Sequence, residues 1–177
     1  MTTNLCEFVS RRLGMCKNVY QERTVTHSQP LQDDPERVAT LYLLALCLWR
    51  EARGESFEGK AAVADVILNR VADPRWPDST VGVITQRWQF SAFNANDPNV
   101  TKFPDPASNP AEWSAFVECF QVADQKLKEG PTIQADHYHT TSMQPFPKWT
   151  RRMRRVGVKG NHVFYDSKRS ETSEESD

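Results

Sequence analysis

Residues 49–71 read Trp49-Arg-Glu-Ala-Arg-Gly-Glu-Ser-Phe-Glu-Gly-Lys-Ala-Ala-Val-Ala-Asp-Val-Ile-Leu-Asn-Arg-Val71, and two helices meet within them. Upstream lies the most apolar run of the chain, residues 41–49, which ends at Arg50 and Glu51. A helix that is apolar nearly all round belongs at the centre of a core. The run is far short of the roughly 20 apolar residues a membrane span requires. Asp34, Pro35 and Glu36 read as an N-cap, a proline at the first helical position and an acid in the first turn. They predict a first helix from 35 to about 53, with Gly54 as its stop. Ser56 then caps a second helix over 57–71, with Val63, Val66, Ile67 and Val71 on one stripe and Pro74 and Pro77 beyond its end.

Working outward, residues 74–111 are rich in Pro, Asn and Asp and read as a long irregular loop with one short element at 81–85. A loop of that length in a compact domain is usually functional or disordered, and the aromatics Trp76, Trp88, Phe90, Phe93 and Phe103 favour function. Asn109, Pro110 and Glu112 form a capping-box pattern that opens a third helix. Trp113, Phe116, Val117, Phe120, Ala123 and Leu127 carry its period to about 129, and Gly130 closes it. After that the period changes. Val156 to Val158, a three-residue turn at Lys159, Gly160 and Asn161, and His162 to Tyr165 predict a β-hairpin. The expected organisation is an extension of unassigned role at 1–33, with a short helix near 8–15 and a linker at 21–33, then a folded domain at 34–167 and a polar tail at 168–177.

The 177 residues are 38% hydrophobic and 25% charged, which fits one soluble domain with a core of its own. Five Trp, nine Phe and four Tyr exclude a wholly disordered chain. With 22 Lys and Arg against 23 Asp and Glu, the net charge of -1 argues against nucleic acid as a partner, and a monomer without stable membrane association is expected. That total hides an uneven distribution. Between His137 and Tyr165 there is no acid, while Lys148, Arg151, Arg152, Arg154, Arg155 and Lys159 fall within twelve residues. Such a run suits an anionic polymer, and equally a solvated strand edge. Cys47 and Cys119 lie in apolar helical patterns and read as buried thiols, whereas Cys6 and Cys16 have no demanded pairing. The N-terminus lacks a basic segment followed by an apolar one, so a cytoplasmic product is expected, which some other agent must release if it acts elsewhere.

Three constellations carry chemistry. Glu51 closes the most apolar helix, where the negative end of the helix dipole and desolvating neighbours both disfavour ionisation. If the chain stays helical, Glu55 is a like charge four residues on and acts in the same sense. A carboxylic acid kept protonated near neutral pH is what a glycosidic leaving group needs. The same spacing also fits a solvated acid cluster paired with Arg50 and Arg53. His137 and His139 share one side of a strand, and with His162 on a neighbouring strand they have the look of an open zinc site. Hydrogen-bonding histidines in a cleft fit better, because no acid between 137 and 165 is at hand to orient ligands, and neither metal nor cofactor is expected. Finally, Gln89, Phe90 and Ser91 with Trp88, Phe93, Asn94 and Trp149 combine aromatic faces with amides and hydroxyls, as sugar recognition does; core packing explains some of these rings equally well.

The 49–71 string resembles the opening of the SleB-like cell wall hydrolase family, the spore-cortex lytic enzymes and their relatives. Pro74-Arg-Trp-Pro77, Gly82-Val-Ile84, Gln89-Phe-Ser91, His137-Tyr-His139, Pro147-Lys-Trp149 and Gly160-Asn-His-Val-Phe-Tyr165 continue the resemblance in order, over about 38–166. The resemblance implies a lysozyme-like α+β fold, mainly helical with a small antiparallel sheet. It implies a lytic transglycosylase cutting peptidoglycan glycan strands between N-acetylmuramic acid and N-acetylglucosamine to leave 1,6-anhydro ends. Glu51 corresponds to the family's catalytic acid, with Glu55 the second candidate, and Gln89, Phe90, Ser91, Tyr138, His139 and Trp149 are expected to line the glycan cleft. A hydrolytic muramidase using Asp97 or another loop carboxylate as base is the alternative within enzymes; a wall-binding or virion structural protein is the alternative outside them. The absence of a leader at the N-terminus adds the expectation of a bacteriophage endolysin, held in the host cytoplasm until host lysis. Residues 92–110 match no family pattern.

Overall fold

The structure, a computed structural model, describes residues 34–168. The readings made for 1–33, including Cys6 and Cys16, and for the tail beyond 168 lie outside the described residues. Helix α1 is Pro35–Ala52, and its residues Leu44, Ala45, Leu46, Cys47, Leu48 and Trp49 are all buried, as an all-round apolar helix requires. Around it pack α2 (Phe57–Val71), the short α3 (Thr80–Thr85) and α4 (Pro110–Glu129). The core they share includes Val63, Val66, Ile67, Val83, Ile84, Phe116, Cys119 and Val122. Emptying Leu44 or Leu48 to alanine is worth about 2–5 kcal/mol in such a setting.

The caps follow the sequence closely. Ser56 Oγ accepts the Gly59 N–H at 3.3 Å, and Asn109 Oδ1 accepts that of Glu112 at 3.2 Å. Glu112 does not complete the box, because its carboxylate is drawn to Arg53 at 3.1 Å. Gly130 ends α4 with φ of 81°. By contrast, Gly54 takes no left-handed conformation; α1 ends at Ala52 in a tight turn held by the Glu55 N–H on the Ala52 carbonyl at 2.9 Å. Cys47 and Cys119 are buried free thiols, and burial pushes Cys119 up to about 12.

Strands β1 (His137–Thr140), β2 (Arg154–Lys159) and β3 (His162–Asp166) form an antiparallel sheet in the order β1-β3-β2. The Lys159–His162 pair closes β2 and β3 around a two-residue turn, Gly160 and Asn161, one residue tighter than expected. The register sets the two faces. His137 lies opposite Tyr165 and His139 opposite Val163, while Tyr138 lies opposite Phe164 and Thr140 opposite His162. Tyr138, Phe164 and His162 therefore share the face toward the helical core, and His137, His139 and Tyr165 share the other.

Two buried charge networks fasten the sheet to the helices. Asp65 on α2 accepts the Thr132 and Ile133 N–H groups, each at 3.0 Å, and pairs with Lys126 of α4 at 2.7 Å, fixing the turn before β1. Arg70 donates to the Asp136 carbonyl at 2.7 Å. Asp136 in turn accepts from Ser167 and His137. A buried charge is stable only when so paired.

Candidate active site

Glu51 is the next-to-last residue of α1, mostly buried at the helix's negative end. Its Oε2 accepts the Tyr138 hydroxyl across 3.3 Å, and its Oε1, also buried, has no well-formed hydrogen bond. Burial pushes its pKa up; the Tyr138 hydroxyl and the Ala92 backbone N–H pull it down, and the charge of Asp97 pushes it up again. The net direction is upward, toward a carboxyl that keeps its proton. Tyr138 is raised well above the usual phenol by its own burial and by Glu51, so it remains a neutral donor. The like charge bearing on Glu51 is that of Asp97 in the loop, not Glu55 as the helical spacing suggested.

Glu55 lies beyond the helix end and faces the hairpin. Its Oε2 accepts the Asn161 N–H at 2.8 Å, its Oε1 accepts the Asn161 side-chain amide at 3.1 Å, and His162 Nδ1 stands 3.8 Å from Oε1. Both oxygens are engaged in holding the turn. Arg50 and Arg53 do not neutralise an acid cluster either. Arg53 pairs with Glu112 at 3.1 Å. Arg50 instead reaches the carbonyls of Ala92, Val100 and Lys102, at 3.0, 2.9 and 3.0 Å.

The residues expected to line the cleft fall into three places. Tyr138 touches Glu51. Gln89 accepts from Arg70 at 3.2 Å, and Phe90 is buried in the core with the Arg70 guanidinium 5.6 Å from its ring centre, so Phe90 is a packing residue in this fold. Ser91 is exposed and opens a 3-10 turn, Ser91–Phe93. His139 and Trp149 lie across the sheet from Glu51. His139 is buried, stacked on Tyr165 at 5.4 Å, and Trp149 meets the same Tyr165 edge-on at 5.4 Å. Adjacent strand residues face opposite sides, which is why Tyr138 and His139 separate. The same rule places His162 away from His137 and His139, so the three imidazoles do not converge as a metal triad would. Of the basic run, Lys148, Arg151 and Arg152 stand exposed on the 3-10 turn Lys148–Arg152, and Arg154 on β2 pairs with Asp166 at 2.8 Å.

The residue missed from sequence is Arg50. The signal was present: a cation ends an apolar run immediately before the candidate acid.

A helical layer around one apolar helix, a small antiparallel sheet and a buried carboxyl at their junction define a lysozyme-like α+β domain. Solved structures share that fold. The catalytic domain of the germination-specific lytic transglycosylase SleB from Bacillus anthracis superposes with a TM-score of 0.56 at 23% identity, covering 72% of this chain and 93% of that one. The SleB catalytic domain from Bacillus cereus gives 0.53 at 24% identity, over 82% and 98%. Residues 54–165 match the family model described as Cell Wall Hydrolase, and the chain belongs to that family. The spore cortex-lytic enzyme of Bacillus cereus is 36% identical over 147 residues, 80% of this chain and 52% of that protein. That of Bacillus subtilis is 50% identical over 50 residues, 28% of this chain and 16% of that protein. The chain thus spans about half or less of the length of these relatives.

Proposed function

We propose that this chain cleaves the β-1,4 bond between N-acetylmuramic acid and N-acetylglucosamine in peptidoglycan, as a lytic transglycosylase with Glu51 as its acid and base. The observation that carries the reading is the state of Glu51: buried at a helix end, raised in pKa, one oxygen held by Tyr138 and the other in no well-formed hydrogen bond. Protonated Glu51 gives its proton to the glycosidic oxygen as the bond to muramic C1 breaks. The resulting carboxylate takes the proton of the muramic C6 hydroxyl while that oxygen bonds to C1. The proton is returned, the anhydro ring closes and no water is consumed. One carboxyl suffices for this cycle, whereas a hydrolase of the usual kind needs two at a defined separation.

Digestion of purified peptidoglycan with product masses is the test. Anhydro ends, lighter by one water than reducing ends, are expected, and exclusively reducing ends would turn the reading to a muramidase with Asp97 as base. That second reading has one observation in its favour, the influence of Asp97 on Glu51. Deployment as a bacteriophage endolysin in host lysis is the finer part of the proposal. Cytoplasmic expression that lyses cells only when a holin is co-expressed supports it, and lysis without a holin opposes it.

A further inference from the structure

We propose that Arg50 is a positioning residue for this reaction: its guanidinium holds loop 91–103 closed over the end of α1 and so builds the wall against which Glu51 works. The inference rests on the assignment of Glu51 above. Residues 92–110 carry no motif that the sequence reading could use, although the family match runs through them, and the structure gives this loop an organising cation. Arg50 Nη1 donates to Ala92 O at 3.0 Å, and Nη2 donates to Val100 O at 2.9 Å and Lys102 O at 3.0 Å. The two ends of the loop are thereby tied to one side chain. Phe93 and Phe103 flank it, their ring centres 4.7 and 5.2 Å from the guanidinium carbon. A planar fork can bridge several carbonyls while stacking on rings; an ammonium is a point charge and cannot do both.

The loop fixed in this way carries what acts on the acid. Ala92 is buried and turns its N–H toward Glu51, and Asp97 adds its charge. Neighbouring residues of a helix point about 100° apart, so Arg50 reaches the loop from beside Glu51 without touching the carboxylate. The groups facing Glu51 are Cys47 on α1, Tyr138 on β1, and the Ala92 N–H and Asp97 in the loop, with Arg70 of α2 acting on Tyr138 and Cys47. Only the loop's contribution depends on Arg50. Opening the loop admits water to Glu51 and withdraws the Asp97 charge, and both let the carboxyl ionise at lower pH; losing the Ala92 N–H acts the other way but is a smaller influence than burial.

The experiment compares the full chain with Arg50→Lys by following the Glu51 carboxyl carbon in NMR titrations and the pH profile of wall lysis. Arg50→Lys is expected to melt cooperatively, to titrate Glu51 at lower pH than the parent, to move the high-pH limb of kcat/KM in the same direction, and to lose about 10–100-fold in rate. A folded Arg50→Lys protein whose Glu51 titrates as in the parent, or whose rate falls only with the fraction folded, overturns the proposal. Should Arg50→Lys not fold, Phe103→Ala removes an exposed ring from the stack and carries the same expectation in smaller degree; unchanged Glu51 titration there overturns it equally. Lysis by Glu51→Gln would remove the assignment of Glu51, while the titration still decides whether Arg50 sets its protonation.

Discussion

The hydroxyl of Tyr138 stands 3.3 Å from Oε2 of Glu51, joining the end of the central helix to the first strand of the sheet. Each partner constrains the other. Burial keeps the phenol neutral and therefore a donor, and the donor fixes one carboxyl oxygen, while Oε1 has no well-formed hydrogen bond and the Ala92 N–H bears on the same carboxyl. Fold and site meet at this contact, since neither α1 nor β1 alone could orient the acid.

Replacing Glu51 by Gln keeps shape and removes the transferable proton. Loss of lysis by about 10²–10⁴-fold is expected from turbidity assays on purified walls, with the circular dichroism spectrum unchanged. Stability moves the other way. The folded pKa of Glu51 lies above its unfolded value, so its favourable contribution is full below the unfolded pKa and is lost as pH rises through the folded one. Glu51→Gln is therefore expected to melt a few degrees above the parent at pH 8, with the gap closing below pH 4.

Tyr138→Phe and Asp97→Asn should displace the pH profile in opposite directions. The Tyr138 hydrogen bond lowers the Glu51 pKa, so its loss moves the high-pH limb of kcat/KM upward. Asp97 raises that pKa, so its neutralisation moves the limb downward. Tyr138→Phe is also expected to reduce kcat about tenfold, as a positioned donor is lost. Shifts of the same sign in both variants would show that Glu51 does not govern the limb.

How far the sequence alone reached depends on whether a signal lives in side chains. The apolar run before Glu51 marked α1 as the central helix, and Ser56 and Val71 marked both ends of α2, because caps and stripes are written in residue types. Arg50's partners are backbone carbonyls, which no residue type announces. Phe90 and Phe93 look alike in a loop, yet one is core and the other flanks Arg50. The separation of Tyr138 from His139 was readable from strand alternation, but a shared motif invited placing them together. The hairpin turn is tighter than its glycine suggested because Lys159 pairs with His162.

Gly160 and Glu55 are coupled, and their coupling separates Glu55 from catalysis. Gly160 has φ of 55°, and a Cβ there would fall on Oε2 of Glu55. Gly160→Ala is expected to cost about 2 kcal/mol or more, beyond the backbone penalty alone, because the carboxylate must leave the Asn161 N–H. Adding Glu55→Ala to Gly160→Ala should cost less than the sum of the two, and denaturant unfolding of the four proteins measures the difference. Glu55→Gln should remain lytic within about tenfold of the parent at a temperature where it is folded, in contrast to Glu51→Gln.

Acid stability should depend on Asp136. Burial opposes its ionised form, but hydrogen bonds from His137 and from the Ser167 side chain and N–H, together with the charge of His137, hold its pKa down to about 2. A depressed pKa contributes stability that is present above the unfolded value and lost as pH falls through the folded one. The window here runs from the ordinary carboxylate value of 3.8 down to about 2. Asp136→Asn is thus expected to cost about 1–2 kcal/mol at pH 7 and nearly nothing at pH 2. Asp136 anchors His137 and the Ser167 end of β3, so the loss should appear first as faster amide exchange in β1 and β3. Glu51 then retains its helix but loses the fixed position of Tyr138, and lysis should fall at temperatures below the global melt. A variant that lost global stability at pH 7 without any local change in β1 would show that Asp136 supports the fold as a whole and not the strand that carries Tyr138.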